Sequence, residues 1–254
     1  MPNYIKLGNL RIEIPEPANN GGGGGGGGGG STSLLTGLQA FYNLSDLTDA
    51  SGNGNTLTNN GGVTFASGKI GNAANGGSGS QYLTAPNLVL GGLSALTVTF
   101  WTNHQDKTES ALDEVFGSWY AGSNPFLISF GGFGQYGSTG AETLGVGIVT
   151  SSGMKFHWET TPRTTNAWRF VAVKFVADDA VSIKTNNEAW LSSSVSGGPL
   201  SPQTQPVRIL DGGDNQGLRS PSQLDALGIW NRALTDAEIA ELYNAGTGKE
   251  HPFA

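Results

Sequence analysis

Asp49, Ser51, Asn53 and Asn55 fall at alternate positions through a turn that also holds Gly52 and Gly54. Oxygen-bearing side chains spaced this way can converge on one hard cation, and calcium favours crowded oxygen shells of this kind. The same residues also suit an Asx-type turn, in which the side chains bond their own backbone. A second acidic turn, Asp211-Gly212-Gly213-Asp214-Asn215, is a further candidate. It lacks the EF-hand spacing and the closing glutamate of that loop.

Glycan recognition needs a flat aromatic ring against the apolar face of a sugar and a few amide or carboxylate hydrogen bonds. Trp119, Tyr120, Asn124, Phe133 and Tyr136 stand among glycines and serines in loop-like stretches. They are the ligand-contact candidates, with Asp211 and Asp214 beside them. Trp101, Trp168 and Trp230 lie inside apolar runs and read as core, while Trp158 and Trp190 fit either role. Residues 104–165 hold the long Gly/Ser/Asn loops where specific contacts belong.

Catalytic chemistry finds little support. Glycoside hydrolysis needs two carboxylates flanking the scissile bond. Asp113 and Glu114 are adjacent, so on a strand they point to opposite faces. His104, His157 and His251 are scattered, and there is no Gly-x-Ser-x-Gly nucleophile turn. Gly131-Gly132-Phe133-Gly134 is not a phosphate loop, because no Lys-Ser/Thr pair follows it. No catalytic residue is assigned, and the chain reads as a non-enzyme.

These groups must be carried by strands. The chain has 254 residues, 41 of them glycine, and only 13% are charged. Short apolar runs alternate with Ser/Thr/Asn/Gly turns over 38–44, 63–66, 81–84, 96–103, 114–119, 126–130, 144–150, 155–160, 168–176, 181–185, 207–210 and 223–230. Runs at this spacing predict an all-β, two-sheet antiparallel sandwich. One short C-terminal helix is marked by a capping box, Thr235 with Glu238, and by an apolar face of Ile239, Leu242 and Tyr243. Gly246 is placed to stop it. The net charge of −7 and the lack of a basic patch exclude nucleic acid as a partner. With no cysteine, disulfides and thiolate metal sites are excluded. No apolar stretch has the length of a membrane span, so no membrane insertion is expected.

The N-terminus is a separate device. Residues 4–14 alternate with period two around Gly8-Asn9, a two-residue hairpin turn. Ile5, Leu7, Leu10, Ile12 and Ile14 share one face, which needs a partner surface because a lone hairpin is marginal in water. They are the assembly candidates. Residues 21–30 are ten glycines, which cannot pack in a core. Two readings stand: a flexible tether, or an extended three-residue helix that bundles with copies of itself. The expected organisation is an arm over 1–20, a polyglycine linker or stalk over 21–33, and the globular domain over 34–254. The first residues show no apolar segment of a secretory signal.

Several blocks resemble one family, and in its order. They are Leu38-Gln39-Ala40-Phe41-Tyr42-Asn43-Leu44, Asp49-Ala50-Ser51-Gly52-Asn53-Gly54-Asn55, Ser80-Gln81-Tyr82-Leu83 and Leu96-Thr97-Val98-Thr99-Phe100-Trp101. The last two are Trp168-Arg169-Phe170-Val171-Ala172-Val173 and a closing block from Leu224 to Ile239 that includes Asp225, Trp230-Asn231-Arg232 and Thr235-Asp236-Ala237-Glu238. Together these are similar to the laminin-G-like, concanavalin-A-like jelly roll over residues 38–246. The resemblance implies two stacked antiparallel sheets and a mostly non-catalytic module that binds carbohydrate or protein, often with calcium. It also implies that Asp225 lies near the Asp49 turn, giving a calcium set of Asp49, Asn53 and Asp225. Catalytic relatives carry Glu-x-Asp-x-Glu or Glu-x-Asp-x-x-Glu along one strand, and this chain has neither.

The reading that joins these features is a bacteriophage virion protein, a capsid decoration or tail-fibre-type component. Its arm, residues 1–30, would hold other virion proteins. Its jelly roll would face outward on the virion surface to bind a glycan or cell-surface polysaccharide. Bundled glycines would make it a homo-oligomer, most simply a trimer. The alternatives are a bacterial cell-surface or secreted carbohydrate-binding module, and a shell decoration that binds no sugar.

Overall fold

The computed structural model describes strands 4–7 and 10–13 and residues 32–76, 80–104, 113–119, 125–130, 143–160, 166–211 and 222–253. The N-terminal hairpin is β1 (Tyr4–Leu7) and β2 (Leu10–Glu13). Its antiparallel register sets Ile5 opposite Ile12 and Leu7 opposite Leu10, the pairing that Gly8-Asn9 predicts. Ile14 and the polyglycine run lie outside the described residues.

One helical turn, α1 (Thr32–Leu35), leads into the body. The strands that follow are β3 (Leu38–Tyr42), β4 (Thr58–Asn60), β5 (Thr64–Ser67), β6 (Asn72–Gly76), β7 (Tyr82–Ala85), β8 (Ala95–His104) and β9 (Asp113–Gly117). Next come β10 (Phe126–Phe130), β11 (Leu144–Thr150), β12 (Gly153–Trp158), β13 (Trp168–Val176) and β14 (Ala180–Thr185). The last are β15 (Leu191–Ser194), β16 (Val207–Ile209) and β17 (Ser222–Trp230), followed by helix α2 (Asp236–Tyr243). The expected jelly-roll sandwich is present. Its eight-stranded sheet runs β15-β14-β13-β8-β17-β6-β5, with β3 added against β17. Its seven-stranded sheet runs β12-β11-β10-β9-β16-β7-β4. Strands β4, β6 and β15 were not expected, because Thr-Asn-Asn, Asn-Ala-Ala-Asn-Gly and Leu-Ser-Ser-Ser are polar or small and carry no apolar alternation.

Alternation fills the space between the sheets. Leu96, Val98 and Phe100 of β8, and Val171, Val173 and Phe175 of β13, point into one core. They meet Phe126, Ile128 and Phe130 of β10 there. Each such side chain, fully buried, contributes about 1.5–3 kcal/mol. In β17 the pairing register slips between Asp225 and Gly228, where Ala226 has φ 47°. This bulge lets Leu224 and Leu227, three apart, both reach the core.

The eight-stranded sheet is apolar on its other face as well. Phe41, Trp101, Phe170 and Trp230 form a second cluster, closed by Leu34 of α1, Ile239 and Leu242 of α2, and Phe253. Trp101 and Trp230 are core residues as expected, whereas Trp168 is only partly buried against this layer. The Trp230 indole donates to the Leu34 carbonyl at 2.7 Å. Helix α2 starts with the expected capping box: the Thr235 hydroxyl accepts from the Glu238 N–H, and the Glu238 carboxylate accepts from the Thr235 N–H. Its left-handed stop falls two residues earlier than Gly246 would place it, because Asn244 adopts the left-handed conformation (φ 46°) that asparagine tolerates. Among the described residues no helix is long and apolar enough to cross a membrane.

Arg232 fastens this outer layer. Its guanidinium donates to both oxygens of Glu238, at 2.6 and 2.9 Å, and to the Ser33 and Thr36 carbonyls. The pairing holds the Glu238 carboxyl down at about 2. A depressed carboxylate stabilises the fold above its unfolded pKa, near ~4.3, and that stability is lost as pH falls toward about 2. Arg232→Met is expected to cost about 1–3 kcal/mol near neutral pH. Thermal melts between neutral pH and pH 3 check this, since the gap between wild type and variant should narrow with acid.

Candidate functional site

With one outer face of the sandwich closed by α1, α2 and the C-terminal segment, the outer face of the seven-stranded sheet becomes the candidate surface. Along β11 the sequence Leu144-Gly145-Val146-Gly147-Ile148 alternates large and absent side chains. Leu144, Val146 and Ile148 point into the core, and Gly145 and Gly147 face outward. Their partners on β12 are Trp158 and Phe156. Both rings lie down over the bare glycines. A Cβ at Gly145 would stand 2.0 Å from Trp158 ring carbons, and one at Gly147 would stand 2.7 Å from Phe156. The two rings are nearly parallel, 12° apart in plane with centroids 6.3 Å apart. Trp119, just after β9, packs against Phe156 at 5.6 Å. Leu127 completes the cluster, with Val149 beside it. All of its described members come from this one sheet.

The ligand candidates divide. Trp119 was expected as an exposed loop platform and is instead 5% exposed, because its ring packs against Leu127 and Phe156 rather than standing in solvent. Asp211 is likewise buried, 3.2 Å from the Arg208 guanidinium. Tyr120, Asn124, Phe133, Tyr136 and Asp214 lie outside the described residues. Tyr120 and Asn124 belong to the connection between β9 and β10, and Phe133 and Tyr136 to that between β10 and β11. Phe156 was missed, and Trp158 was left between roles. The signal that finds both is the outward Gly-x-Gly of β11 facing the Phe-x-Trp of β12. The accessible apolar surface is Phe156, half-exposed, with Val149 and Met154. Trp119 and Trp158 hold it from beneath.

The cation candidates divide too. Asp49 is buried and its carboxylate is fully occupied: it accepts from the Phe41, Ser51 and Asn55 N–H groups and from the Ser51 hydroxyl. The Asn53 amide donates to the Leu38 and Gln39 carbonyls. This is the Asx-turn alternative, tying the turn to β3. Asp225 is held elsewhere. Its Oδ2 accepts from the Lys69 and Ile70 N–H groups, both at 2.8 Å, in a turn where a Cβ on Gly68 would collide with it. Its Oδ1 is buried without a well-formed hydrogen bond, as is Glu250 Oε1. Burial, together with the Glu250 charge, raises the Asp225 carboxyl to about 7. Among the described residues no group of three His, Cys, Asp or Glu could hold a metal. Asp225 and Glu250 are two carboxylates, each with a buried oxygen lacking a hydrogen bond, whose charges repel; Asp49 and Asn53 are spent on their own turn.

A carboxyl whose pKa rises on folding stabilises the fold below its unfolded value, near ~3.9, and that contribution is lost as pH rises through about 7. Glu250 is also raised by burial and acts in the same direction. Thermal stability of the calcium-free protein is therefore expected to decline between about pH 4 and 7, and Asp225→Asn should flatten that decline. Adding calcium near neutral pH should raise Tm in the wild type and leave the Asp225→Asn variant unmoved.

No curated protein matches the sequence. Solved structures do. The binding domain of Paraclostridial Mosquitocidal Protein 1 is 16% identical with a TM-score of 0.68, covering 84% of this chain and 53% of that one. The binding domain of botulinum neurotoxin serotype D is 11% identical with a TM-score of 0.66, with 84% and 53% covered. Domain 4 of AbnA, an extracellular arabinanase from Geobacillus stearothermophilus solved with arabinotriose, is 20% identical with a TM-score of 0.61, with 84% and 98% covered. The chain thus spans about half the length of the toxin domains and nearly all of the arabinanase domain. At these identities the likeness is one of fold. The sequence itself makes the closer connection: residues 75–240, which run from β6 through the closing strand into α2, match the family model of the concanavalin A-like lectin/glucanases superfamily, and the protein belongs to that superfamily.

Proposed function

We propose that the protein is a non-catalytic carbohydrate-binding module whose ligand lies on the outer face of the seven-stranded sheet, against Phe156. The observation that carries this reading is the ring cluster laid over Gly145 and Gly147. A strand that gives up two side chains to seat flat rings on its outer face creates a rigid apolar platform, the surface that the CH face of a sugar requires. The arabinanase domain solved with arabinotriose supports a glycan as the ligand class, as does the superfamily. Calcium at Asp225 and Glu250 is part of the proposal, as a structural ion that would neutralise the two carboxylates.

We place the module on a virion surface, held by its N-terminal arm. The hairpin β1–β2 supports an arm that pairs in a defined register, and the glycine run supports a tether or bundled stalk between arm and module. Several modules on one stalk, most simply three, would turn weak sugar contacts into avidity. A bacterial surface or secreted module is the second reading, and it is favoured by the extracellular arabinanase among the structural neighbours.

Titration calorimetry of the full chain with arabinotriose and other short neutral oligosaccharides tests the site. Phe156→Ala is expected to weaken binding about tenfold, near 1–1.5 kcal/mol, and to lower Tm by a few degrees, because the ring also packs on Trp119 and Trp158. Unchanged affinity would remove the ligand from this face. Light scattering of the full chain against a chain starting at Ser31 tests the arm. A defined oligomer that becomes a monomer on truncation is expected, and monomers in both would end the homo-oligomeric stalk.

A further inference from the structure

The outer face of the eight-stranded sheet is not apolar throughout. Beyond the edge of α2, on β13 and β14, it carries Lys174 and Lys184. The antiparallel register sets Lys174 opposite Ser182 and Lys184 opposite Ala172, so both side chains rise from the same face one step apart. They converge on a single indole. Lys174 Nζ stands 4.2 Å from the Trp190 ring centroid and Lys184 Nζ stands 5.7 Å from it. Trp190 is half-buried against the α2 layer and is fixed by a hydrogen bond from its Nε1 to Asp236 Oδ1 at 2.7 Å. Beside Lys174, the hydroxyls of Ser182 and Ser192 lie 2.8 Å apart.

The cations among the described residues include ion-paired ones and ones held by rings, with Lys69 over Trp101 among the latter. The protein carries a net charge of −7 with only 13 lysines and arginines. Arg208, Arg232 and Lys249 are each ion-paired with a carboxylate. Lys174 and Lys184 instead share one aromatic ring and form no ion pair with a described residue. Asp236 is the nearest acid bound into the patch, and it is engaged by the indole. Two ammonium groups that share one ring repel, and the ring quadrupole offsets only part of that. An anion placed against them would relieve the repulsion and gain charge-assisted hydrogen bonds, with the exposed Ser192 hydroxyl beside it as a further donor.

We propose that Lys174, Lys184 and Trp190 form a second binding site, on the face opposite the Phe156 platform, that takes the carboxylate of an acidic sugar residue in a polysaccharide. The carboxylate lies against the two ammonium groups, and a neighbouring sugar hydroxyl reaches Ser192. Trp190 holds the lysines in register and Asp236 holds Trp190. The choice of a saccharide rests on the carbohydrate-binding reading above, whereas the anionic site itself does not. Sites on both outer faces would let one module contact a polysaccharide mesh from two sides.

The test is titration of the full chain with an oligogalacturonate, with the same oligosaccharide fully methyl-esterified, and with the neutral oligosaccharides used for the Phe156 site. The acid form is expected to bind, more weakly as salt rises, and the ester to bind at least about tenfold less tightly. Lys174→Gln with Lys184→Gln should abolish the difference between acid and ester while leaving neutral-sugar binding at Phe156 intact. Both lysines are half-buried with their ammonium groups over a ring, and circular dichroism checks that the glutamine changes keep the sheet folded. Equal binding of acid and ester, or full affinity in the double variant, overturns the proposal. If neutral sugars bind and the acid form does not, this site falls and the Phe156 reading stands. If no saccharide binds, both fall. Binding of the patch to phosphoinositide vesicles but not to the uronate would overturn the sugar assignment in favour of a phosphate ligand.

Discussion

Burial of the eight-stranded sheet on both faces is the constraint from which the rest of the molecule follows. One face meets the seven-stranded sheet in the central core, and the other is roofed by α1, α2 and Phe253. The roof is a set of short segments, and an eight-residue helix has little stability of its own. It stays in place because its apolar side packs on Trp101 and Phe170 and because Arg232 ties Glu238 to the chain entering the domain. The outer face of the other sheet is buried over β9 and β10 as well, and its partly accessible apolar side chains are Val149, Met154 and Phe156 at β11 and β12. The edge of the roofed face, beyond α2, is left for Lys174, Lys184 and Trp190.

The aromatic cluster shows how a strand can serve two faces at once. The inward residues of β11 are large and fill the core, and its outward residues are glycines, which leave room for rings from β12. The arrangement fixes Phe156 from below and from the side, through Trp158 and Trp119. A platform that is already ordered costs less entropy when a flexible ligand settles on it. Trp119 therefore matters as support rather than as contact, a different role from the one its Gly/Ser-rich neighbourhood suggests.

Asp49 and Asp225 illustrate the same distinction for carboxylates. Both are buried acids beside tight glycine turns. Asp49 receives four hydrogen bonds from its own turn and from β3, which satisfies its charge. Asp225 receives two on one oxygen, and its other oxygen is left against the repelling field of Glu250. Hydrogen-bond supply, rather than residue type or turn chemistry, separates an aspartate whose charge is satisfied from one that is left short of donors.

The sequence by itself determined the fold class, most of the longer strands, the hairpin register and the capping box of α2. These follow from local chemistry: side-chain alternation, the glycine-containing turn of a two-residue hairpin and a cap whose two partners are three residues apart. It also marked Trp101 and Trp230 as core, since each lies in a run apolar at every second position or denser. Tertiary structure alone decided that α1, α2 and Phe253 roof the outer face of the eight-stranded sheet. It decided that Trp119 is buried, that Asp49 and Asp225 are held by separate turns, and that Lys174, Lys184 and Trp190 meet. Those facts depend on pairing partners and on packing between residues far apart in the chain, such as Arg232 with Ser33 or Asp225 with Ile70. Spacing along a sequence says which side of a strand a residue takes, but it does not say what lies against that side.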